Sequence, residues 1–397
     1  MIHQHLVQKT YTRLTLQYAS LCHDLIYESP KSISQNLTIV AFLIELWRSL
    51  YGVNPAVEGE QLQGTSSKEI ESPRFSFVDI GCGNGVVVYV LLMEGYHGFG
   101  INARYLETWD LYPQWVQDRL RKAIYIPKPF ADAISDADAT TNGTSLDFGV
   151  EVVTCTSMFS TNTFIISNHA DELTLWTPLM ATLANPASPL PFLAIPCCSY
   201  SLTGAMYWHP PLSKEPHLPV SPDDDAKRDC ALEQNPVQNK DQSVHQLLTR
   251  EEAEENENEE FERTPQPASG DLKALRASKM AAISAQNDLG SDASTTSRYG
   301  CLTAKTARIG QELGYSIHTS QMQLPSLRNS VIVGVRQQPL FNPSSSSGQG
   351  SPADEESPRL FDTALAIVRR ECAREGGVKE GAKIWIERAK KAHRDNY

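Results

Sequence analysis

The stretch FSFVDIGCGNGVVVYVLLMEGYHGFGIN, residues 75–102, alternates apolar runs with glycine-rich turns. Its hydrophobic pattern predicts a strand at Phe75–Ile80, a turn at Gly81–Gly85, a helix at Val86–Glu94 and a second strand at Gly98–Asn102. A strand, a tight turn, a helix and a further strand form the opening unit of a parallel sheet covered by helices. The segment therefore predicts an α/β fold.

The chain on both sides of this unit fits the same fold class. Apolar positions at helical spacing predict helices over about residues 8–52, before the unit. Further strands are predicted at residues 164–167, 190–196, 316–324 and 330–336, with helices at 112–123, 172–183 and 302–313. The third strand has no clear pattern and stays unassigned. We expect a doubly wound sheet with helices on both faces and an N-terminal helical extension.

Changes in composition predict five regions. Residues 1–73 form a helical region and linker, and residues 74–209 the first part of the sheet domain. Residues 210–297 form an acidic insertion that we expect to be disordered, because eight glutamates fall between Glu251 and Glu262. Residues 298–338 complete the sheet domain. Residues 339–397 form a Ser-rich linker and a basic helical tail, in which ten Lys or Arg oppose six acids from Pro358 onward.

The bulk composition limits the classes of function. The chain has 397 residues, 41% of them hydrophobic, and a formal net charge of −12. The apolar run Leu37–Leu50 is too short for a membrane span and contains Glu45 and Arg48. None of the eight cysteines stands in a C-x-x-C spacing, so we expect reduced thiols and no metal site. Because the acidic run is local, the net charge does not exclude a nucleic-acid partner.

The turn after the first strand carries the strongest chemical signal. It reads Asp79-Ile80-Gly81-Cys82-Gly83-Asn84-Gly85, and glycines there allow the backbone to approach a ligand closely. The form D-x-G-x-G-x-G is typical of S-adenosylmethionine sites, whereas a dinucleotide enzyme requires G-x-G-x-x-G. The alternative is a purely structural tight turn that binds no ligand.

Two further strand ends supply polar candidates. Asn102 ends the second strand, where an acidic or amide side chain accepts hydrogen bonds from a ribose. Asn168, His169, Asp171 and Glu172 follow a later strand and would face the reacting group, with His169 or Asp171 as proton acceptor. A first helical turn capped by two acids is the alternative.

Other residues keep rival functions open. Pro196-Cys197-Cys198 ends a strand as in pyrimidine C5-methyltransferases, which use a thiolate nucleophile, although buried, unreactive cysteines are the favoured explanation. Cationic and aromatic side chains follow the second strand and can meet RNA or simply cover a surface helix. They are Arg104, Trp109, Trp115, Arg119, Arg121 and Lys122.

Several blocks in this order resemble the fungal and animal tRNA uridine 2′-O-methyltransferases that modify position 44. The blocks are VDIGCGNG, EGYHGFGI, WDLYP, ISNHADEL, IPCC and LPSLRN. The resemblance covers about half the chain. It implies a Rossmann-like class I methyltransferase sheet, S-adenosylmethionine as methyl donor, serine tRNA as substrate and a cytoplasmic setting. It implies no particular protein partner.

Carried over by motif, the resemblance assigns roles to individual residues. Asp79, Gly81, Gly83, Asn84, Gly85 and Asn102 would bind the donor. Asn168, His169 and Asp171 would be catalytic, and Arg104, Arg328 and Asn329 would bind the substrate. Asn102 departs from the aspartate expected there. That departure and the acidic excess keep a further alternative open, a non-catalytic RNA-binding scaffold.

Overall fold

Within the residues that the structure describes, eight strands form one sheet. The computed structural model describes residues 2–55, 75–138, 151–153, 159–207, 209, 297–322, 329–336 and 352–394. The strands are β1 (Ser76–Ile80), β2 (Gly98–Asn102), β3 (Leu120–Tyr125), β4 (Glu151–Val153), β5 (Thr163–Asn168), β6 (Phe192–Ile195), β7 (Ser316–Gln321) and β8 (Ser330–Val335). Their order is β4-β3-β2-β1-β5-β6-β8-β7. Strands β1 to β6 pair in parallel, and β8 runs antiparallel to both β6 and β7.

Helices cover both faces of this sheet. They are α1 (Gln4–Gln17), α2 (Leu21–Asp24), α3 (Pro30–Tyr51), α4 (Val86–Met93), α5 (Gln114–Gln117), α6 (Lys128–Asp138), α7 (Trp176–Ala184), α8 (Arg298–Glu312), α9 (Pro352–Cys372) and α10 (Val378–Arg394). The apolar side chains of α1, α3 and α4 form one core with the sheet, and those of α7 to α10 form the other. The predicted α/β fold with helices on both faces is therefore confirmed. No helix within the described ranges is both long and apolar enough to span a membrane.

Helix α3 is a structural part of the sheet domain. It begins where the Ser29 side chain accepts a hydrogen bond from the Ser32 amide, and it ends at Gly52 in a left-handed conformation. Its Trp47 is fully buried, with ring centroids 5.0 Å from Phe75 and 5.5 Å from Phe164. The N-terminal helices thus supply one of the two layers on the sheet.

The C-terminal helices cover the opposite face. Trp385 of α10 packs edge to face against Phe130 and Trp176, with ring centroids 6.0 Å and 6.2 Å away. A largely buried ion pair with an N–O distance of 3.0 Å joins Lys305 of α8 to Glu371 of α9. The basic region predicted as a tail therefore packs against the sheet domain through both of its helices.

Several local predictions are confirmed and two are wrong. Strands β1 and β2 and helix α4 lie where the sequence placed them. The helix predicted over residues 112–123 is wrong, because Leu120–Tyr125 forms β3, whose Lys122 pairs with Asn102 of β2. The helix predicted at 172–183 begins only at Trp176, after the 3-10 turn Asp171–Leu173. The acidic run and the helix predicted near residues 271–285 lie outside the described residues.

Replacing Trp47 with Ala tests whether α3 belongs to the core. We expect the free energy of unfolding to fall by about 3–5 kcal/mol, because a large buried aromatic side chain is lost. Urea denaturation measures this. The control is Trp115→Ala, which removes a side chain that is 49% exposed and should change the free energy by less than about 1 kcal/mol. Equal small losses for both variants would show that α3 is peripheral.

Candidate active site

The turn between β1 and α4 is built on glycines in the left-handed region. The φ angles of Gly81, Gly83 and Gly85 are +78°, +51° and +78°. A Cβ atom added to Gly85 would lie 3.0 Å from a methyl carbon of Leu120, so Gly85 is needed for packing. A Cβ added to Gly83 would meet no atom within 4 Å. The turn is thus closed on its inner side at Gly85 and open at Gly83, where its backbone can meet a ligand.

Two aromatic side chains fix the shape of this turn. Trp109 donates from Nε1 to the Gly83 carbonyl at 2.9 Å, and the Tyr112 hydroxyl donates to the Asn84 carbonyl at 3.0 Å. The side-chain oxygen of Asn84 accepts from the Val86 amide at 3.1 Å. The side chain of Asn84 therefore holds the first amide of α4. Trp109 is buried and supports the turn, so it is not one of the exposed rings available to RNA.

Asp79 is an acidic side chain buried at the carboxyl end of β1. It is 1% exposed, and no described residue hydrogen-bonds to its Oδ1 atom. Burial disfavours the charged form and raises the pKa of Asp79 to about 7. A buried acceptor without a partner is costly in a folded protein. Asp79 is thus an acceptor without a described partner, near the strand ends where ligands of such sheets bind.

A cleft of about 180 Å³ opens at the carboxyl ends of the central strands. Its walls come from residues 80–81, 101–104, 123–125 and 169–173, and from Trp385, Arg388 and Ala389 of α10. Ligands of doubly wound sheets bind at this edge. The cleft brings together six of the residues singled out in the sequence, which are Gly81, Asn102, Arg104, His169, Asp171 and Glu172.

A larger cavity elsewhere lacks comparable chemistry. It measures about 500 Å³ and lies between α1, α3 and β7. Its described lining carries no Asp, Glu, Lys or Arg side chain and none of the carboxyl ends of β1, β2 and β5. The smaller cleft is therefore the candidate active site.

Asn102 and Arg104 form one lip of the cleft. The Asn102 side chain donates from Nδ2 to the Arg104 carbonyl at 2.8 Å. That bond orients the amide and leaves Oδ1 as its acceptor atom. The Arg104 side chain is exposed. Asn102 can therefore accept one hydrogen bond from a ligand hydroxyl in the cleft, without the charge that an aspartate would add.

The turn after β5 is strained at two residues that are not glycine. His169 and Asp171 have φ angles of +51° and +45°, a region that side chains other than glycine seldom adopt. The Asn168 Oδ1 atom, at the end of β5, is buried without a hydrogen bond from any described residue. Strain and unsatisfied groups of this kind are typical of functional sites. His169 and Asp171 thus line the cleft with a left-handed backbone conformation that is unfavourable for residues other than glycine.

Cys197 lies beside this turn as a protonated thiol. It is buried, and its Sγ donates to the Asp171 Oδ1 at 2.9 Å. The hydrogen bond with Cys198, burial and the Asp171 carboxylate all raise the pKa of Cys197 well above its ordinary value. Because the thiolate is the reactive species, the surroundings oppose a role for Cys197 as nucleophile.

Of the two predicted substrate residues in the LPSLRN block, only Asn329 is described. It precedes β8, and its carbonyl accepts from the Met322 amide at 2.9 Å. Since β8 is antiparallel to β6, Asn329 lies at the same edge of the sheet as the cleft, two strands away from β5. Arg328 lies outside the described residues.

Helix α10 supplies a wall of the cleft that we did not predict from sequence. The Trp385 Nε1 donates to the Tyr125 carbonyl at 3.0 Å, which fixes the helix against the end of β3. Arg388 pairs with Glu172 at 3.3 Å, and its guanidinium lies 4.3 Å from the centre of the Tyr200 ring. The basic composition of this region was the only signal for it, and composition does not say where a helix packs.

Comparison with known proteins relates the chain to one family. The model of a family described as "Predicted AdoMet-dependent methyltransferase" matches residues 2–127. A protein of Aspergillus oryzae named tRNA (uracil-O(2)-)-methyltransferase is 45% identical over 99% of this chain and 55% of its own length. Proteins of the same name from Schizosaccharomyces pombe and Neurospora crassa are 38% and 39% identical, each over 53% of this chain and 38% of their own length.

These matches confirm the resemblance and define its extent. The chain spans about half of the Aspergillus oryzae relative and less of the others. No solved structure matches it. The strand order and the glycine turn are those of a Rossmann-like class I methyltransferase fold.

Replacing Asp79 with Asn tests the cost of the buried carboxyl group. Between pH 4 and 7 the folded protein keeps a proton that the unfolded chain has released, so stability falls as the pH rises through this window. Asn does not titrate. We expect Asp79→Asn to be more stable than the wild type at pH 8, by up to about 4 kcal/mol, and the advantage to shrink at pH 5.

Urea denaturation at the two pH values measures the difference. Asp118→Asn provides the control, because it changes an exposed carboxyl group and should alter the free energy of unfolding by less than about 1 kcal/mol at both pH values. A stability advantage of Asp79→Asn that does not grow between pH 5 and pH 8 would contradict the burial argument.

Proposed function

We propose that this chain, whose sequence is related to the tRNA (uracil-O(2)-)-methyltransferases, transfers a methyl group from S-adenosylmethionine to the ribose 2′-hydroxyl of a uridine in tRNA. The observation that carries the proposal is the open turn at Gly83 beside the cleft, together with the similarity along the whole chain. By the resemblance, the substrate is uridine 44 of serine tRNA and the setting is cytoplasmic.

The residues of the cleft fit an adenosyl donor. Asn102 at the end of β2 offers Oδ1 to a ribose hydroxyl, and the buried Asp79 Oδ1 lacks a partner among the described residues. The space on the Cβ side of Gly83 is open, since an added Cβ would meet no described atom within 4 Å, while Trp109 occupies the Gly83 carbonyl. Gly81, which lines the cleft, is packed against Ala170, so the turn and the strained segment after β5 share one wall. The donor, when bound, supplies an electrophilic methyl group on a sulfonium.

The protein then has to align a hydroxyl and accept its proton. His169 and Asp171 line the cleft on the side of the strained turn, and either places a basic atom there. The Cys197 thiol holds one oxygen of Asp171, which leaves the other oxygen for the hydroxyl. His169 or Asp171 would accept the proton of the 2′-hydroxyl as that oxygen takes the methyl group from the sulfonium of the bound donor. Alignment in a cleft partly shielded from water supplies much of the rate.

The buried thiol disfavours the alternative of base C5 methylation. That reaction requires a thiolate, and both the burial and the hydrogen bonds of Cys197 hold it protonated. The pairing of Cys197 with Asp171 instead supports a role for the thiol in positioning the carboxylate.

Replacing Gly83 with Ala tests donor binding. A Cβ there imposes strain of about 1–2 kcal/mol and projects from the turn into the space assigned to the donor. We expect the affinity for S-adenosylmethionine, measured by calorimetry, to fall at least about tenfold, which corresponds to about 1.4 kcal/mol.

The matched control is Gly52→Ala. Gly52 is also left-handed, a Cβ on it also meets nothing within 4 Å, and it ends α3. The control should lose similar stability and keep donor affinity.

The activity assay is mass spectrometry of tRNA incubated with the protein and the donor. The proposal would be contradicted if the wild type formed no 2′-O-methyluridine, or if Gly83→Ala kept full affinity for the donor.

Replacing Cys197 with Ser separates the two kinds of methyl transfer. The hydroxyl can donate the same hydrogen bond to Asp171, so the rate should fall about tenfold at most, the value of one ordinary hydrogen bond. Cys301→Ser controls for the exchange of a buried sulfur. Loss of several orders of magnitude with intact donor binding would show that the thiol is the nucleophile.

A further inference from the structure

Helix α10 concentrates positive charge beside the cleft. Its seventeen residues contain six Lys or Arg and two Glu, in a chain whose formal net charge is −12. Charge that opposes the overall balance and gathers on one element indicates an anionic partner.

The packing of α10 fixes which of its faces reaches solvent. Ala382, Trp385 and Ile386 are each at most 5% exposed and form the inner face. The Trp385 hydrogen bond to the Tyr125 carbonyl prevents the helix from rotating. The basic residues are therefore held in a defined position at the edge of the cleft.

Two lysines with exposed or partly exposed side chains follow Arg388 on α10. Arg388 lines the cleft, and Lys391 lies one helical turn beyond it with an exposed side chain. The Lys390 side chain is 36% exposed and pairs with Glu387 at 3.0 Å. An ion pair this exposed contributes little to stability, so Lys390 can exchange Glu387 for a phosphate.

Charges of both signs surround the cleft. Arg104 is exposed after β2, and Arg388 of α10 lines the cleft with Lys391 one helical turn beyond it. Asp171 and Glu172 also lie in the lining, and Glu172 pairs with Arg388 at 3.3 Å. An anionic backbone is therefore attracted to the exposed cations around the cleft, while the carboxylates of the lining disfavour its entry.

We propose that Lys390 and Lys391 of α10 bind the phosphate backbone of the RNA substrate beside the cleft. This inference rests on the proposed function, since it concerns the same cleft. The contacts act on phosphates and carry no base specificity. They hold the strand while the target nucleotide enters the cleft.

The test is the salt dependence of tRNA binding by the full chain, measured by fluorescence anisotropy with labelled tRNA. The variant is Lys390→Ala combined with Lys391→Ala. Each lost phosphate contact reduces the magnitude of the negative slope of log affinity against log salt by about 0.7–0.9. The double variant should therefore show a slope that is shallower by about 1.4–1.8. Affinity at low salt should fall by roughly fivefold or more.

The control carries the same change of charge on exposed lysines of the N-terminal helices, Lys9→Ala combined with Lys31→Ala. It should keep the wild-type slope. Affinity for S-adenosylmethionine should be unchanged in both variants. A slope equal to that of the wild type in the α10 variant, or an equal loss in the control, would overturn the inference.

These outcomes are distinguishable from failure of the proposed function. If the wild type methylates tRNA and the α10 variant binds tRNA as the wild type does, only the RNA-binding role of α10 is wrong. If the wild type binds the donor and RNA but forms no 2′-O-methyluridine, the proposed reaction is wrong, and the salt slopes still decide the role of α10.

Discussion

The turn from Gly81 to Gly85 is the constraint on which the rest of the structure depends. It redirects the chain from the central strand β1 into α4, and its three left-handed glycines make that reversal possible. Gly100 of β2 lies beneath it, where a Cβ atom would approach the Cys82 sulfur to 2.8 Å. The turn and β2 approach each other so closely there that only glycine fits at position 100. The carboxyl ends of β1 and β2 consequently open into one cleft.

The cleft retains features that oppose stability. The carboxyl group of Asp79 and the amide oxygen of Asn168 are buried without partners among the described residues, and His169 and Asp171 adopt a strained backbone. The surrounding cores offset these costs. Trp47 anchors the helices on one face and Trp385 those on the other, so the strand ends are held from both sides. Local instability at a site within a well-packed scaffold is the usual arrangement in enzymes.

The parts of the fold predicted from sequence are those with a simple hydrophobic period. Residues 76–102 alternate between a buried strand, a glycine turn and an apolar helix, so their boundaries could be predicted closely. Strand β3 could not, because Arg121 and Lys122 interrupt its apolar pattern, and Arg121 lies 4.5 Å over the ring of Phe99. The wall formed by Trp385 and Arg388 was missed, since more than two hundred residues separate α10 from β5 in sequence.

A crystal structure of the full chain with S-adenosylhomocysteine, the product form of the donor, tests the central claim most directly. The account predicts that the ligand lies over the Gly81–Gly85 turn, with its ribose at Asn102. Ligand density elsewhere, or an approach to Gly83 closed by side chains, would contradict it.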